Sequence, residues 1–146
     1  METVIKDFKE LTLDELYEIL HSRQEVFVVE QKIIYQDLDY LDFNSTHIFI
    51  KKEGRVVAYL RIIPPGIKYK ETSIGRVLTI PEYRHQGLSR KLMQLAITIV
   101  RDRNEMPIKI EAQEYLVEFY KSLGFFPISD PFILEGIPHV SMLLNK

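Results

Sequence analysis

From Val77 to Arg90 the chain reads Val-Leu-Thr-Ile-Pro-Glu-Tyr-Arg-His-Gln-Gly-Leu-Ser-Arg: a β-rich run, a turn opened by proline, then a helical pattern. The start of a helix leaves N–H groups unpaired and carries the positive end of the helix dipole. Gly87 lets the backbone come close to a ligand, Ser89 is small, and Arg84 and Arg90 add positive charge. This combination predicts an anion cradle, most simply one for a pyrophosphate. The plainer alternative is an ordinary strand–turn–helix with a glycine in its turn. Neither G-x-x-x-x-G-K-[ST] nor G-x-G-x-x-G occurs, so the segment is neither a P-loop nor a Rossmann fingerprint.

Other chemistries are narrowed by what the chain lacks. It has no cysteine, which excludes disulfides, thiolate nucleophiles and cysteine-held zinc. His21, His47, His85 and His139 show no H-x-x-x-H or H-E-x-x-H spacing, so no metal site is expected. His21 reads as a solvated surface group, His47 as a satisfied, half-buried one, and His85 as a loop residue whose backbone N–H matters more than its ring. Asp37, Asp39 and Asp42 alternate in a loop but lack the glycine and terminal glutamate of a calcium loop. The acidic stretch over residues 30–42 favours a cationic ligand, with simple solvation as the other reading. Tyr35, Tyr40 and Phe43 suit either an acceptor pocket or loop packing.

The elements that must position these groups follow from periodicity. The 146 residues fit one domain over residues 1–146 and are enough to bury a core. With 46% hydrophobic and 27% charged residues, the composition is globular. A net charge of -2 argues against a nucleic-acid partner. No apolar run nears membrane-span length and residues 1–9 lack a signal-peptide core, so a cytoplasmic protein with no membrane partner is expected. Residues 4–8 suggest a first strand. Thr12 and Glu15 make a T-x-x-E capping box for a helix expected to run to about residue 27. Residues 31–44 read as loop with one turn of helix. Residues 46–50 and 56–63 form a hairpin, and 73–80 a further strand stopped by Pro81. Leu88, Leu92, Leu95, Ala96 and Ile99 share one face of a helix fading near residue 103. A strand at 108–112, a helix at 115–123 closed by Gly124, and a strand at 139–144 complete the chain. Interleaved helices and strands with hairpins predict an α/β (α+β) fold on a mixed sheet.

Two blocks bring a family into view. Pro81-x-x-Arg84-x-x-Gly87-x-Ser89 resembles the R/Q-x-x-G-x-G/A acetyl-CoA loop of GNAT acetyltransferases, and Tyr120 followed by Leu123-Gly124-Phe125 resembles that superfamily's second signature. Residues 23–31, 35–39 and 74–77, the pair Ala112-Gln113, and Glu135-Gly136-Ile137-Pro138-His139 narrow the resemblance to the ElaA-type family and span most of the chain. The resemblance implies a GNAT-like, mostly antiparallel central sheet flanked by helices. It implies acetyl-CoA as acetyl donor, with Val77, Leu78 and Thr79 along the pantetheine arm. Arg84, His85, Gln86, Gly87, Leu88, Ser89 and Arg90 would hold the pyrophosphate. Ser89 departs from the family's glycine or alanine, and Gln113 stands where many relatives place a cofactor-contacting asparagine. Tyr120 matches the tyrosine that protonates the departing thiolate, with a packed core aromatic as the alternative. A base for the attacking amine is sought among Glu30, Glu111 and His139.

The expected activity is N-acetylation of a small-molecule or peptide amine by direct attack in a ternary complex, since no cysteine can form an acyl-enzyme. Two alternatives stay open: a non-catalytic acyl-CoA-binding or regulatory module, and a transferase using another acyl-CoA or an acyl carrier. A monomer or a homodimer is expected.

Overall fold

The computed structural model describes all 146 residues. Its strands are β1 (Glu2–Asp7), β2 (Thr46–Lys52), β3 (Arg55–Ile63), β4 (Thr72–Thr79), β5 (Ile108–Gln113), β6 (Phe126–Pro127), β7 (Phe132–Leu134) and β8 (Ile137–Leu144). They join in one sheet of order β1-β2-β3-β4-β5-β8-β6, with β7 pairing β8. Every pairing is antiparallel except β4 with β5. The helices are α1 (Leu13–Gln24), α2 (Leu88–Asp102) and α3 (Val117–Lys121).

The predicted capping box opens α1. The Thr12 hydroxyl accepts from the Glu15 N–H and the Glu15 carboxylate accepts from the Thr12 N–H, both at 3.0 Å. Glu15 also takes Lys6 at 2.8 Å and Lys51 at 3.0 Å, so one carboxylate ties α1 to β1 and β2. Burial raises its pKa, but the Lys6, Thr12 and Lys51 hydrogen bonds outweigh it and bring the value down to about 2. Beyond Gln24 the helix does not simply run on to residue 27. It widens into a π-helical turn over Glu25–Glu30.

Central β3 is buried from Val56 to Ile63, covered on both faces. On one face α2 lays Leu92, Met93, Ala96, Ile97 and Val100 fully into the core, while Leu88, Leu95 and Ile99 flank them half-buried. The stripe is therefore wider than the predicted face, as expected for a helix on a sheet and not a narrow coiled-coil seam. On the other face α1 docks through Ile19 and through Ser22, whose hydroxyl donates to the Val56 carbonyl at 2.6 Å.

Three expectations shift. The first strand begins at Glu2 and ends at Asp7, α3 is preceded by a 3-10 turn over Glu114–Leu116, and His139 lies inside β8 instead of opening it. Strands β6 and β7 give no sequence signal because they are two and three residues long, too short to show a period of two.

Candidate functional site

The site is created where the sheet comes apart. β4 and β5 pair only at Thr72–Ile108 and Ser73–Lys109, then diverge. Against β3, the register moves from Tyr59–Leu78 to Arg61–Gly75, so β4 carries one extra residue, a bulge at Arg76–Val77. Arg76 takes a left-handed conformation there, with φ 52°. The bulge turns β4 away from β5 and leaves the β5-facing backbone groups from Ile74 onward without a ladder partner. A cavity of about 640 Å³ fills the gap, lined on this side by Gly75, Val77, Leu78 and Thr79.

The helix α2 points its N-terminus at the cavity's open end. Gly87 caps it in the left-handed region at φ 77°, with no side chain capping the first N–H groups, and His85 also has positive φ at 65°. A Cβ built on Gly87 would meet no atom within 4 Å, so the space over the helix start is clear. Oriented N–H groups in a concave turn suit an anion. His85, Gly87, Leu88, Ser89 and Arg90 all line the cavity, whereas Gln86 does not. Ser89, the departure from the family pattern, shares a 2.7 Å hydrogen bond with the Thr79 hydroxyl and ties the strand end to the helix start.

The loop arginines are already engaged. Arg84 donates through Nε to the Thr79 carbonyl at 2.8 Å and through both terminal nitrogens to Glu30 at 2.6 Å. This bidentate bond, opposed by partial burial, holds the Glu30 carboxyl below the usual carboxylate range. Glu30, a candidate base, lies outside the cavity lining and instead braces the π-helical turn against the loop that precedes α2. Arg90 donates to the Ser122 hydroxyl at 2.9 Å and lies 5.2 Å from the Phe119 ring centroid.

Tyr120, on α3, reaches the same cavity and is buried between Phe119 and Phe125, both edge-on. Its core packing and its contact with the cavity coexist. Burial, with the nearby Tyr115, pushes its hydroxyl pKa well above the usual tyrosine value, so it stays protonated. On β5, burial alternates so that Ile108, Ile110 and Ala112 face the core while Lys109, Glu111 and Gln113 face the other way. Gln113 opposes His139 across the β5–β8 ladder, which puts their side chains on one face. The His139 Nδ1–H donates to the Ile137 carbonyl at 2.7 Å, since a carbonyl only accepts. The Nε2 lone pair of the neutral ring is then free. Glu111 accepts from the Tyr69 hydroxyl, and Gln113 from the Gln31 amide at 3.3 Å. Glu111, Gln113 and His139 all line the cavity.

Behind this wall lies an ion network that has no local signature in the sequence. Arg23, 0% exposed, bonds Asp37 at 3.0 Å and Asp42 at 2.6 Å. Arg61, 1% exposed, bonds Asp39 at 2.5 Å and Asp42 at 2.9 Å, and Arg76 at the bulge bonds Asp37 at 2.8 Å. The acidic stretch is thus a set of internal counterions and not an attractant for a cationic ligand. Of its aromatics, Tyr35 lines the cavity, while Tyr40 and Phe43 stack on each other in the open. His47 is fully satisfied: its Nε2–H donates to the Asp42 carbonyl and its Nδ1 accepts from Tyr59.

Comparison with known proteins agrees with this architecture. The model of the acetyltransferase (GNAT) domain matches residues 8–146. A Synechocystis protein of the UPF0039 group is 40% identical over 94% of this chain and 91% of its own length. The crystal structure of an acyl-CoA N-acyltransferase from Pseudomonas aeruginosa superposes with TM-score 0.92 at 36% identity, covering 98% of each chain. That of Escherichia coli ElaA superposes with TM-score 0.91 at 33% identity, covering 99% of each. With a parted β4–β5 pair, an uncapped helix start and a tyrosine meeting in one cavity, the chain belongs to the ElaA-type family of the GNAT acyl-CoA acyltransferases.

Proposed function

We propose that this protein, acting as a single domain in the cytoplasm, transfers the acetyl group of acetyl-CoA to a primary amine by direct attack within a ternary complex. The observation that carries the reading is the V-shaped opening between β4 and β5, with the bare N-terminus of α2 at one end and Tyr120, Glu111 and His139 along its walls. The pantetheine arm adds to β4 as a strand would, and the pyrophosphate rests on the N–H groups of residues 87–90.

The attacking amine must shed a proton, because an alkylammonium with pKa of about 10.4 is mostly charged at neutral pH. His139 is the favoured acceptor of that proton. Its Nδ1 is held by the Ile137 carbonyl, which leaves Nε2 to face the cavity as the acceptor. Glu111, held by Tyr69, is the second candidate. Tyr120, kept protonated by burial, donates to the sulfur as the carbon–sulfur bond breaks.

The first test is thermal unfolding with acetyl-CoA and CoA against ATP and NAD. A ligand at a hundred times its Kd adds about 2.7 kcal/mol of stability. A shift with both CoA species alone is expected, followed by turnover on an amine panel. No shift at millimolar acetyl-CoA would sink the reading.

A further inference from the structure

The cavity contains a nucleophile of its own. Lys68, in the loop between β3 and β4, is the one lysine that lines it. No carboxylate pairs with its ammonium, in contrast to Lys6 and Lys51. The loop is pinned by a 2.7 Å bond from the Gly66 N–H to the Tyr69 carbonyl. The Lys68 ammonium lies 5.4 Å and that of Lys109 4.4 Å from the Tyr69 ring centroid, and the Tyr69 hydroxyl bonds Glu111.

The register locates this cluster. Ser73–Lys109 is the last pair shared by β4 and β5, so Gly75 and Glu111, two residues further along each strand, flank the apex of the V. A donor entering from the start of α2 at the open end directs its acyl group toward that apex, where Lys68 stands. Lys68 retains surface to solvent. Its ammonium nevertheless stands inside a concavity, where desolvation lowers the pKa against the opposing pull of Glu111, and so raises the share of free amine.

We infer that Lys68 is a self-modification site, acetylated on its ε-amine by the acetyl-CoA bound in the same molecule. The inference rests on the donor site proposed above. The amine nitrogen bonds the thioester carbonyl carbon, the carbon–sulfur bond breaks, and the sulfur leaves with the electron pair and takes a proton from Tyr120. The surplus proton on nitrogen passes to Glu111 and on to water, and water reprotonates Tyr120. The products are Nε-acetyl-Lys68 and CoA. The mark removes the only lysine charge from the cavity wall while the acceptor is scarce.

The experiment incubates the full chain with acetyl-CoA and no acceptor, then maps acetylation by peptide mass spectrometry, with Lys68→Arg and acetyl phosphate as controls. Proximity should place Lys68 at least about tenfold ahead of the solvent-facing Lys9 and Lys91. Its rate should saturate with acetyl-CoA, fall with excess CoA, and not depend on protein concentration. Lys68→Arg should abolish the fast phase, and acetyl phosphate should show no preference for Lys68. Even labelling of all exposed lysines, a fast phase surviving in Lys68→Arg, or a rate that rises with protein concentration would overturn the inference. If acetyl-CoA raises the unfolding temperature but leaves Lys68 unmodified, the inference alone falls. If it does neither, the donor site falls with it.

Discussion

Tyr120 and His139 meet one cavity, the first a hydroxyl held protonated by burial and the second a ring whose Nδ1 is tied to the Ile137 carbonyl. Replacing Tyr120 by Phe keeps the ring contacts with Phe119 and Phe125. Turnover should therefore drop by about 10²-fold or more while the Kd for CoA stays within about twofold. Steady-state kinetics beside a calorimetric titration separates the two. Equal turnover would remove the hydroxyl from the chemistry. For the base, His139→Asn should lower kcat by about 10² to 10⁴ and flatten the acid limb of the pH–rate profile, with CoA affinity retained. If Glu111→Gln flattens that limb instead, the roles of the two residues exchange.

At the scale of elements, the Glu30–Arg84 brace joins the π-helical turn to the loop that precedes α2. Both side chains are about a third exposed, so the pair itself should add only about 0.5–1 kcal/mol to folding. Its larger effect falls on the loop it steadies. Glu30→Gln and Arg84→Met should each weaken acetyl-CoA binding several-fold, and the double variant should be no worse than either alone, as expected of residues acting through one contact. Additive losses would mean that the two residues act on the cofactor independently of their contact. At the other end of α1, the capping box was plain from Thr12 and Glu15. That the same Glu15 also draws in Lys6 and Lys51 was not, because those contacts join residues 9 and 36 positions apart.

Across the whole molecule, pH acts through the buried charges. Burial lowers the pKa of His47 from 6.5, so acidification protonates the unfolded chain first and stability begins to fall below about that pH. Glu15 follows. Its folded value of about 2 against an ordinary 4.5 means that its contribution is complete above 4.5 and is lost as pH falls toward 2. That loss should be about 1–2 kcal/mol once solvent screening is allowed for. Urea melts between pH 7 and pH 3 should thus show a falling midpoint, with a smaller acid loss in Glu15→Gln. The network of Arg23, Arg61 and Arg76 with Asp37, Asp39 and Asp42 is the larger store. Asp42→Ala takes one of two carboxylates from each of two fully buried guanidinium groups, leaving Asp37 to Arg23 and Asp39 to Arg61, and should cost about 3 kcal/mol by chemical denaturation.

The sequence by itself determined the local pieces: the capped start of α1, the hairpin of β2 and β3, the apolar stripe of α2, and a glycine-turned helix start flanked by arginines. Each is a short-range pattern of period, cap or turn, and each is readable from neighbours along the chain. Only the tertiary structure decided what those arginines and the acidic stretch are for. Arg84 finds Glu30 across 54 positions, and Arg76 finds Asp37 across 39. For Arg76 and Asp37 burial makes pairing compulsory, because a charge removed from water requires a partner, and for both pairs the fold alone decides which partner is within reach. The opening between β4 and β5 likewise depends on a bulge that shows only in the register against β3.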